Sequence, residues 1–596
     1  RGKEFQPGEY PDTPVEAAAE VQMDLPGKHI GNVTGLYDFR INSDMNVFMG
    51  CGLGGTSLVN ANVSLPPEPR VMQDTAWPLA LRTDADELLG KGFDLAREML
   101  KPVPYPADFP PLAKLDALEK SANSFLQNTP NAKFYRPPIN VNFDIDGINH
   151  VGVEQHPCKL CGDCVSGCNY SAKNTILMNY LPDARNFGTD IFCECAVRWV
   201  KRAGDKWVVH FDSIGDGREK FDAPTLTVSA DVVVISAGTL GSNEILLRSR
   251  EKGLKVSNRL GDRFTGNGDG MAFGYNSDTD INGIGYGPLK PEGRDPVGPC
   301  ITGIIDLREQ SLLQEGMVIE EGAIPGALAS LIPATLSAAA KALGRDTDTG
   351  IADKIREKAR ENRSLILGAY HGATRNTQTY LVMAHDDSAG RLELEDDRVR
   401  VVWPGAGKQP GLKKINDNLG ECTQANGGTL VPNPIWSKLF GHDLITVHPL
   451  GGCVLADDAA EGVVNERGLV FADTHGTVIH KGLYVSDGSV IPLPLGVNPL
   501  LTISAVAERC AALIAKDYGW QIDYKLPSVP PAAGPAPAVG VQFTETMRGF
   551  FSVEEKNDYL RAEEQGRKNN TPFEFTLTVT ADDVDLLVTD DRHPAR

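Results

Sequence analysis

Positive charge is scarce in this 596-residue chain: 58 Lys and Arg stand against 79 Asp and Glu, a formal net charge of −21. Nucleic acid is held through clustered basic side chains, so that class of partner is excluded, and the acidity serves solubility. Long hydrophobic runs are missing too. A membrane-spanning helix needs about 18 to 20 apolar residues, and the nearest stretch, 327–343, is interrupted by Pro333 and Lys341. No transmembrane segment is expected. No signal peptide is visible, although the chain starts at Arg1 rather than Met. The 11 cysteines, four of them between 158 and 168, do not form a secreted disulfide framework in a chain this long. That favours a cytoplasmic protein over a secreted one.

What is present is the composition of an ordinary globular protein, 41% hydrophobic and 23% charged, at a length that implies two or more domains. One stretch organises the rest. His448-Pro449-Leu450-Gly451-Gly452-Cys453 is followed by Asp487-Gly488, by Gly496-Val497-Asn498-Pro499, and by an apolar helix pattern over 500–515. Glycines and prolines around a polar pair suggest a backbone lying close to something large and flat. A second cluster, Gly50-x-Gly52-x-Gly54-Gly55-x-Ser57-x-x-Asn60, exposes backbone N–H groups suited to a phosphate, with Ser57 as an extra hydroxyl donor. Such a loop alone is usually only a turn.

Taken together these stretches resemble the glucose–methanol–choline (GMC) oxidoreductases and, within them, the cholesterol oxidase branch. The resemblance implies an α/β fold: an FAD-binding Rossmann-like domain, incomplete at its N-terminus, with an inserted, mainly antiparallel substrate domain. The FAD domain is expected over 1–70, 169–270 and 441–526. An irregular and helical insertion occupies 71–168, the substrate domain 271–440, a Pro/Ala linker 527–540 and a small β-rich module 541–596. No Gly-x-Gly-x-x-Gly fingerprint precedes Arg1-Gly2, so a βαβ half-unit of roughly 30 residues is expected upstream; the alternative is an intact chain with an unusual start. The module after residue 541 likewise has little room to close a core.

Oxidising an alcohol requires a hydride acceptor, which no side chain provides, and a base for the hydroxyl proton. Imidazole suits the second role. The resemblance makes His448 and Asn498 the catalytic pair. It puts Gly50, Gly52, Gly54, Gly55, Ser57 and Asn60 against the flavin pyrophosphate and ring, and Val197 near the adenine. Gly238 falls in a second signature, Asn267 and Gly268 in a short loop near the ring, and Asp487 and Gly488 near the ribityl and phosphate. Gly496, Val497 and Pro499 complete the set beside the ring. The implied substrate is a bulky apolar alcohol, lipid or sterol, with oxygen or a redox carrier as electron acceptor. Sterol-isomerising relatives carry a glutamate whose place here falls near Ala329, so isomerase activity is not expected and Glu320 and Glu321 receive no role.

Cys158-x-x-Cys161-x-x-Cys164-x-x-x-Cys168 reproduces the spacing of bacterial iron–sulfur proteins, with Asn169 where proline is usual and no second run elsewhere. An iron–sulfur cluster is the first reading; zinc and metal-free structural cysteines remain alternatives. Cys193 and Cys195 are expected to pack in the core from one face of a strand over 190–197. A cluster here would favour a dehydrogenase over an oxidase. A flavin–iron–sulfur electron-transfer module without an alcohol substrate is the alternative function, and a fragment that binds no flavin is a third.

Further elements follow from periodicity. A helix is expected over 84–100 and a parallel strand buried on both faces over 231–238, leading into a helix from 239. Antiparallel strands are expected over 380–384 and 391–394. Residues 327–343 should be helical on either side of Pro333, as a core helix or as an apolar lid.

Overall fold

In a computed structural model the chain is described over residues 1–83, 85–214, 225–348, 350–433, 444–526, 541–555 and 558–581. It forms two compact units, residues 1–212 with 226–526, and residues 213–225 with 527–596. The expected linker 527–540 lies outside the described residues.

In the larger unit, strands from well-separated segments pair. One mixed sheet runs Lys28–Gly31, Val21–Leu25, Tyr37–Arg40, Met45–Gly50, Leu444–Thr446, the last two parallel. A second sheet joins Val233–Ile235, Ile479–Val485 and Leu469–Phe471, the first pair again parallel. Thus stretches near residues 50, 230 and 450–480 build one scaffold, with the helices Gly238–Glu251 and Leu500–Tyr518 beside it.

The third sheet is antiparallel throughout. Its seven strands run Arg345–Asp346, Thr429–Pro432, Gly270–Tyr275, Gln378–Met383, Val318–Gly322, Ile304–Asp306 and Lys133–Tyr135. The last strand comes from the stretch read as irregular and helical. The hairpin Arg391–Glu395 with Arg398–Val402 stands apart from it.

Three expectations need correction. The strand at 233–235 is an edge strand with a single neighbour, and Val234 is 43% exposed rather than buried on both faces. The strand expected from 190 begins only at Cys195, because Glu194 adopts a left-handed φ of 54° that interrupts the extended chain; Phe192 is 80% exposed, and Cys193 and Cys195 are only half-buried. Pro333 does not divide its helix but opens it: the helix is Ile332–Leu343, with proline in the first turn, where its missing N–H has no intrahelical partner to lose. The helix expected over 84–100 is regular from Gly90 to Leu100.

The smaller unit pairs Val541–Phe550 with Pro572–Ala581, with the helix Tyr559–Asn569 between them in sequence. The period-two row Phe573, Phe575 and Leu577 is 36%, 46% and 42% exposed.

Candidate active site

His448 follows the strand Leu444–Thr446, and Asp269 precedes the strand Gly270–Tyr275. Their side chains meet. Asp269 Oδ1 accepts from His448 Nδ1 at 2.7 Å, while Oδ2 accepts from Thr446 Oγ1 at 2.8 Å, Val447 N at 2.9 Å and His448 N at 3.2 Å. Four donors therefore compensate one carboxylate whose side chain is 5% exposed. An aspartate on Nδ1 selects the tautomer in which that nitrogen carries the proton, leaving Nε2 as an acceptor.

Asn498 has a different partner. Its Nδ2 donates to Glu320 Oε2 at 3.3 Å and lies 3.9 Å from Met383 Sδ. Glu320 stands on the strand Val318–Gly322, wholly buried, and burial pushes its carboxyl up to about 8, with Glu321 and Asp269 adding repulsion and the Asn498 bond opposing. The short stretch 267–269 touches the surroundings of both pairs: Asp269 holds His448, and Asn267 holds Leu495 and Val497 just before Asn498. Asn498 Oδ1 and Glu320 Oε1 are buried without a hydrogen-bond partner. Glu321, the next residue, is fully engaged: Lys114 Nζ at 2.7 Å, the N–H groups of Thr302 and Gly303 at 2.9 Å, and the Thr302 hydroxyl all donate to it. One glutamate is structural and the other is left open. Sequence reading gave neither a role; the strand's alternation was the available signal.

Asn267 holds the loop before Asn498. Its Nδ2 donates to Val497 O at 2.8 Å and its Oδ1 accepts from Leu495 N at 2.7 Å, so it fixes the stretch containing Gly496 and Val497. Gly268 N donates to Asp386 Oδ2 at 2.9 Å. Asp386 also binds Thr265 Oγ1 and Gly266 N, and burial lifts its carboxyl to about 6. His385 lies against Gly496, where a Cβ would stand 2.5 Å from its Nε2, and burial lowers the imidazole to about 4. His385 and Asp386 were missed by the sequence reading, which placed Asp269 in the loop 266–269 near the ring without a role of its own and set Glu320 aside.

Asp487 Oδ1 accepts from Ser489 N at 2.8 Å and Ser489 Oγ at 2.6 Å, and Oδ2 from Ser242 Oγ at 2.5 Å. It pins the turn Gly488–Val490 to the helix Gly238–Glu251. Pro499 sits at the head of the helix Leu500–Tyr518. Gly451 and Gly452 approach protein rather than leave room for a flat ligand: side chains there would collide with Arg263 O and with the Asn243 amide.

In the glycine loop, the Ser57 hydroxyl donates to Gly54 O at 2.7 Å and accepts from Ile176 N at 3.1 Å, so its one proton is committed within the protein. Asn60 O accepts from Lys173 Nζ at 2.6 Å. Gly50 N donates to Thr56 Oγ1 at 3.2 Å, while Gly52 and Gly54 are half-buried along the loop. Val197 lies in a separate three-stranded sheet with Lys206–Ser213 and Leu226–Ala230. Gly55 and Gly238 have φ of 57° and 73°, and a Cβ on either would meet nothing within 4 Å. Open backbone at Gly55 and at the start of a 14-residue helix leaves room for an anionic group such as a dinucleotide pyrophosphate, whereas Cβ atoms at Gly50, Gly52 and Gly54 would meet Thr56 or Leu58 within 3.2 Å.

The four cysteines line one cavity with Lys173, Asp163 and Tyr170. Burial pushes the thiols of Cys158, Cys161 and Cys168 up, and neighbouring cysteines reinforce the shift. Asn169, at the proline position, serves to fasten residues 8–12 over the cysteine loop. Its Oδ1 accepts from Gly8 N and Tyr10 N at 2.8 and 3.0 Å, and its Nδ2 donates to Tyr10 O. Lys173 Nζ, held down to about 8 by burial, donates to Leu58 O, Asn60 O and Cys164 O, joining the cysteine and glycine loops.

Family models described as GMC oxidoreductase match residues 27–265 and 432–507. The chain is 27% identical over 518 residues to a cholesterol oxidase of Mycobacterium tuberculosis, covering 80% of each protein. It is 23% identical to a long-chain-alcohol oxidase of Arabidopsis thaliana, covering 63% of this chain and 48% of that protein. Among solved structures, pyridoxine 4-oxidase from Mesorbium loti superposes with a TM-score of 0.51 at 14% identity, over 86% of this chain and 93% of that one.

Proposed function

The chain belongs to the GMC oxidoreductase family, and from that premise we propose that it oxidises the hydroxyl of a bulky apolar alcohol, sterol-like, to a carbonyl at the His448–Asn498 site. It is an FAD-dependent alcohol oxidoreductase. FAD, when bound, supplies the hydride acceptor that no side chain can provide. The glycine loop, Gly238, the Asn267-clamped stretch 495–497 and Asp487-Gly488 are the groups that would hold it.

The hydrogen bonding carries the reading: an imidazole has its Nδ1 fixed on Asp269, while Asn498 and its partner Glu320 each keep a buried, unpartnered oxygen. His448 Nε2 accepts the substrate hydroxyl proton, and Asp269 stabilises the imidazolium that results. Asn498 Oδ1 orients the hydroxyl. Glu320, protonated at neutral pH because it is buried, adds no charge beside it.

The sterol-like substrate is supported by the relatives named cholesterol oxidase and long-chain-alcohol oxidase and by the exposed Leu328 and Leu331 of the apolar stretch before the helix Ile332–Leu343. Anaerobic mixing with cholesterol, hexadecanol or benzyl alcohol tests it. Flavin bleaching by cholesterol, lost in H448A, is expected. Bleaching by benzyl alcohol alone would reject the sterol assignment, bleaching that survives in H448A would take the base role from His448, and bleaching by none of the three alcohols would favour an electron-transfer module.

A second reading concerns the cysteines. We infer that Cys158, Cys161, Cys164 and Cys168 hold an iron–sulfur cluster, because they line one cavity and their spacing is that of bacterial iron–sulfur proteins. Such a cluster would supply one-electron transfer and favour a carrier over oxygen as acceptor. Iron and acid-labile sulfide in the anaerobically purified protein, halved or lost in C161S, are the expected result; zinc in their place would reject it.

A further inference from the structure

A second group of carboxylates lies where the chain passes from the strand Arg345–Asp346 into the helix Ile351–Leu367. Asp346, Asp348, Asp353 and Glu357 each bring one oxygen, and these four oxygens all lie within 4.8 Å of one another. Acidic clusters are common at surfaces and need no ion. This one is set apart by what its oxygens lack. Asp353 is only 6% exposed, and Asp353 Oδ2, Asp348 Oδ1 and Glu357 Oε1 are buried without a hydrogen-bond partner. One cation reaches the group: Arg356 pairs with Asp353 through Oδ1 at 3.2 Å, leaving Oδ2 open, and shares Asp278 with Arg360. Buried, unpaired like charges are unfavourable unless something compensates them.

We propose that Asp346, Asp348, Asp353 and Glu357 form a calcium site. Four carboxylates make an all-oxygen, hard donor set with no sulfur or imidazole, which selects against zinc and copper. Calcium takes about six to eight oxygens in a flexible shell built largely from protein carboxylates, whereas magnesium is usually held by one or two and keeps several waters. The sequence spacing agrees. In sequence, Asp346, Asp348 and Glu357 are spaced like the first, third and twelfth positions of a calcium loop, although here Asp346 ends a strand and Glu357 lies on the helix Ile351–Leu367. The departures are Gly350 at the fifth position rather than the sixth, and Asp353, a ligand from the helix itself. Asp346 pairs with Thr429 at the edge of the antiparallel sheet, so the ion fastens the sheet edge to the helix.

Isothermal titration of calcium chloride into chelator-stripped protein tests this without reference to flavin. One ion per chain is expected, with a rise in Tm of about 2 °C or more at saturation. D353N and E357Q should lose both responses yet melt no lower than the parent in chelator, since each removes a charge from a self-repelling group. Should either melt lower, D346N, at an exposed carboxylate, carries the same comparison. No binding heat at millimolar calcium, an equal response to magnesium chloride, or an undiminished response in E357Q would each overturn the site.

Discussion

Asp269 commits one oxygen to the His448 ring and the other to three donors around it, so the imidazole cannot rotate without breaking a network. D269N would keep the shape but offer an amide where an acceptor is needed. It should lower kcat by about 10²–10⁴ with little change in KM, by analogy with other carboxylate-oriented histidines; a KM effect alone would show that Asp269 only shapes the pocket. Glu320 gives a second prediction. Its carboxyl titrates near 8 in the folded chain and near 4.5 when free, so the folded state holds an extra proton between those values. Stability from this group is fully present below pH 4.5 and is lost as pH rises through 8. E320Q should therefore be more stable than the parent at pH 8, by about 4–5 kcal/mol, and level with it near pH 4. Chemical denaturation at the two pH values decides it. At this scale the sequence showed half of each pair. His448 and Asn498 announce themselves within glycine- and proline-rich stretches, but their acids lie about 180 residues away in sequence, and one carboxylate among 79 acidic residues carries no mark of its own.

Among the elements, the helix Gly238–Glu251 is unusual in carrying charge into the interior. Glu244 meets Arg248 at 2.7 Å and Arg40 at 3.4 Å, and Arg40 also holds Asp24 and Asp38 at 2.9 and 3.0 Å. Burial alone would raise the Glu244 carboxyl, but Arg40, Arg248 and Arg398 outweigh it and hold it down at about 2. Stability from Glu244 is present above pH 4.5 and disappears as pH falls toward 2, a contribution of about 3 kcal/mol. The gap in stability between parent and E244Q should narrow over that range; a constant gap would mean packing rather than charge. Element positions were largely legible, since the helix after 238, the helix from 500 and the antiparallel strands declare their period. What failed was context. The apolar run 231–238 could not reveal that its strand lies at a sheet edge, and the alternation of 190–197 could not reveal the left-handed turn at Glu194. Pro333 was read as a break because composition shows a proline's presence but not which end of a helix it occupies.

At the scale of the whole molecule, His448, Asn498, Asp269 and Glu320 come from four distant stretches, yet all fall in the larger compact unit. A chain ending at residue 526 should therefore retain substrate-dependent flavin reduction at the parent's rate; loss of activity would tie the Val541–Ala581 hairpin to catalysis. The same dispersal has a consequence for how the protein comes into being. Met45–Gly50 is completed as part of its sheet only by Leu444–Thr446, about 400 residues later. At a synthesis rate of about 5–20 residues per second, the first strand emerges from the ribosome about 20–80 s before its neighbour. Throughout that interval its hydrogen-bonding edge is a template for any other strand. The nascent chain is then at its most vulnerable, and a chaperone acting during translation protects it more than one acting on the finished protein.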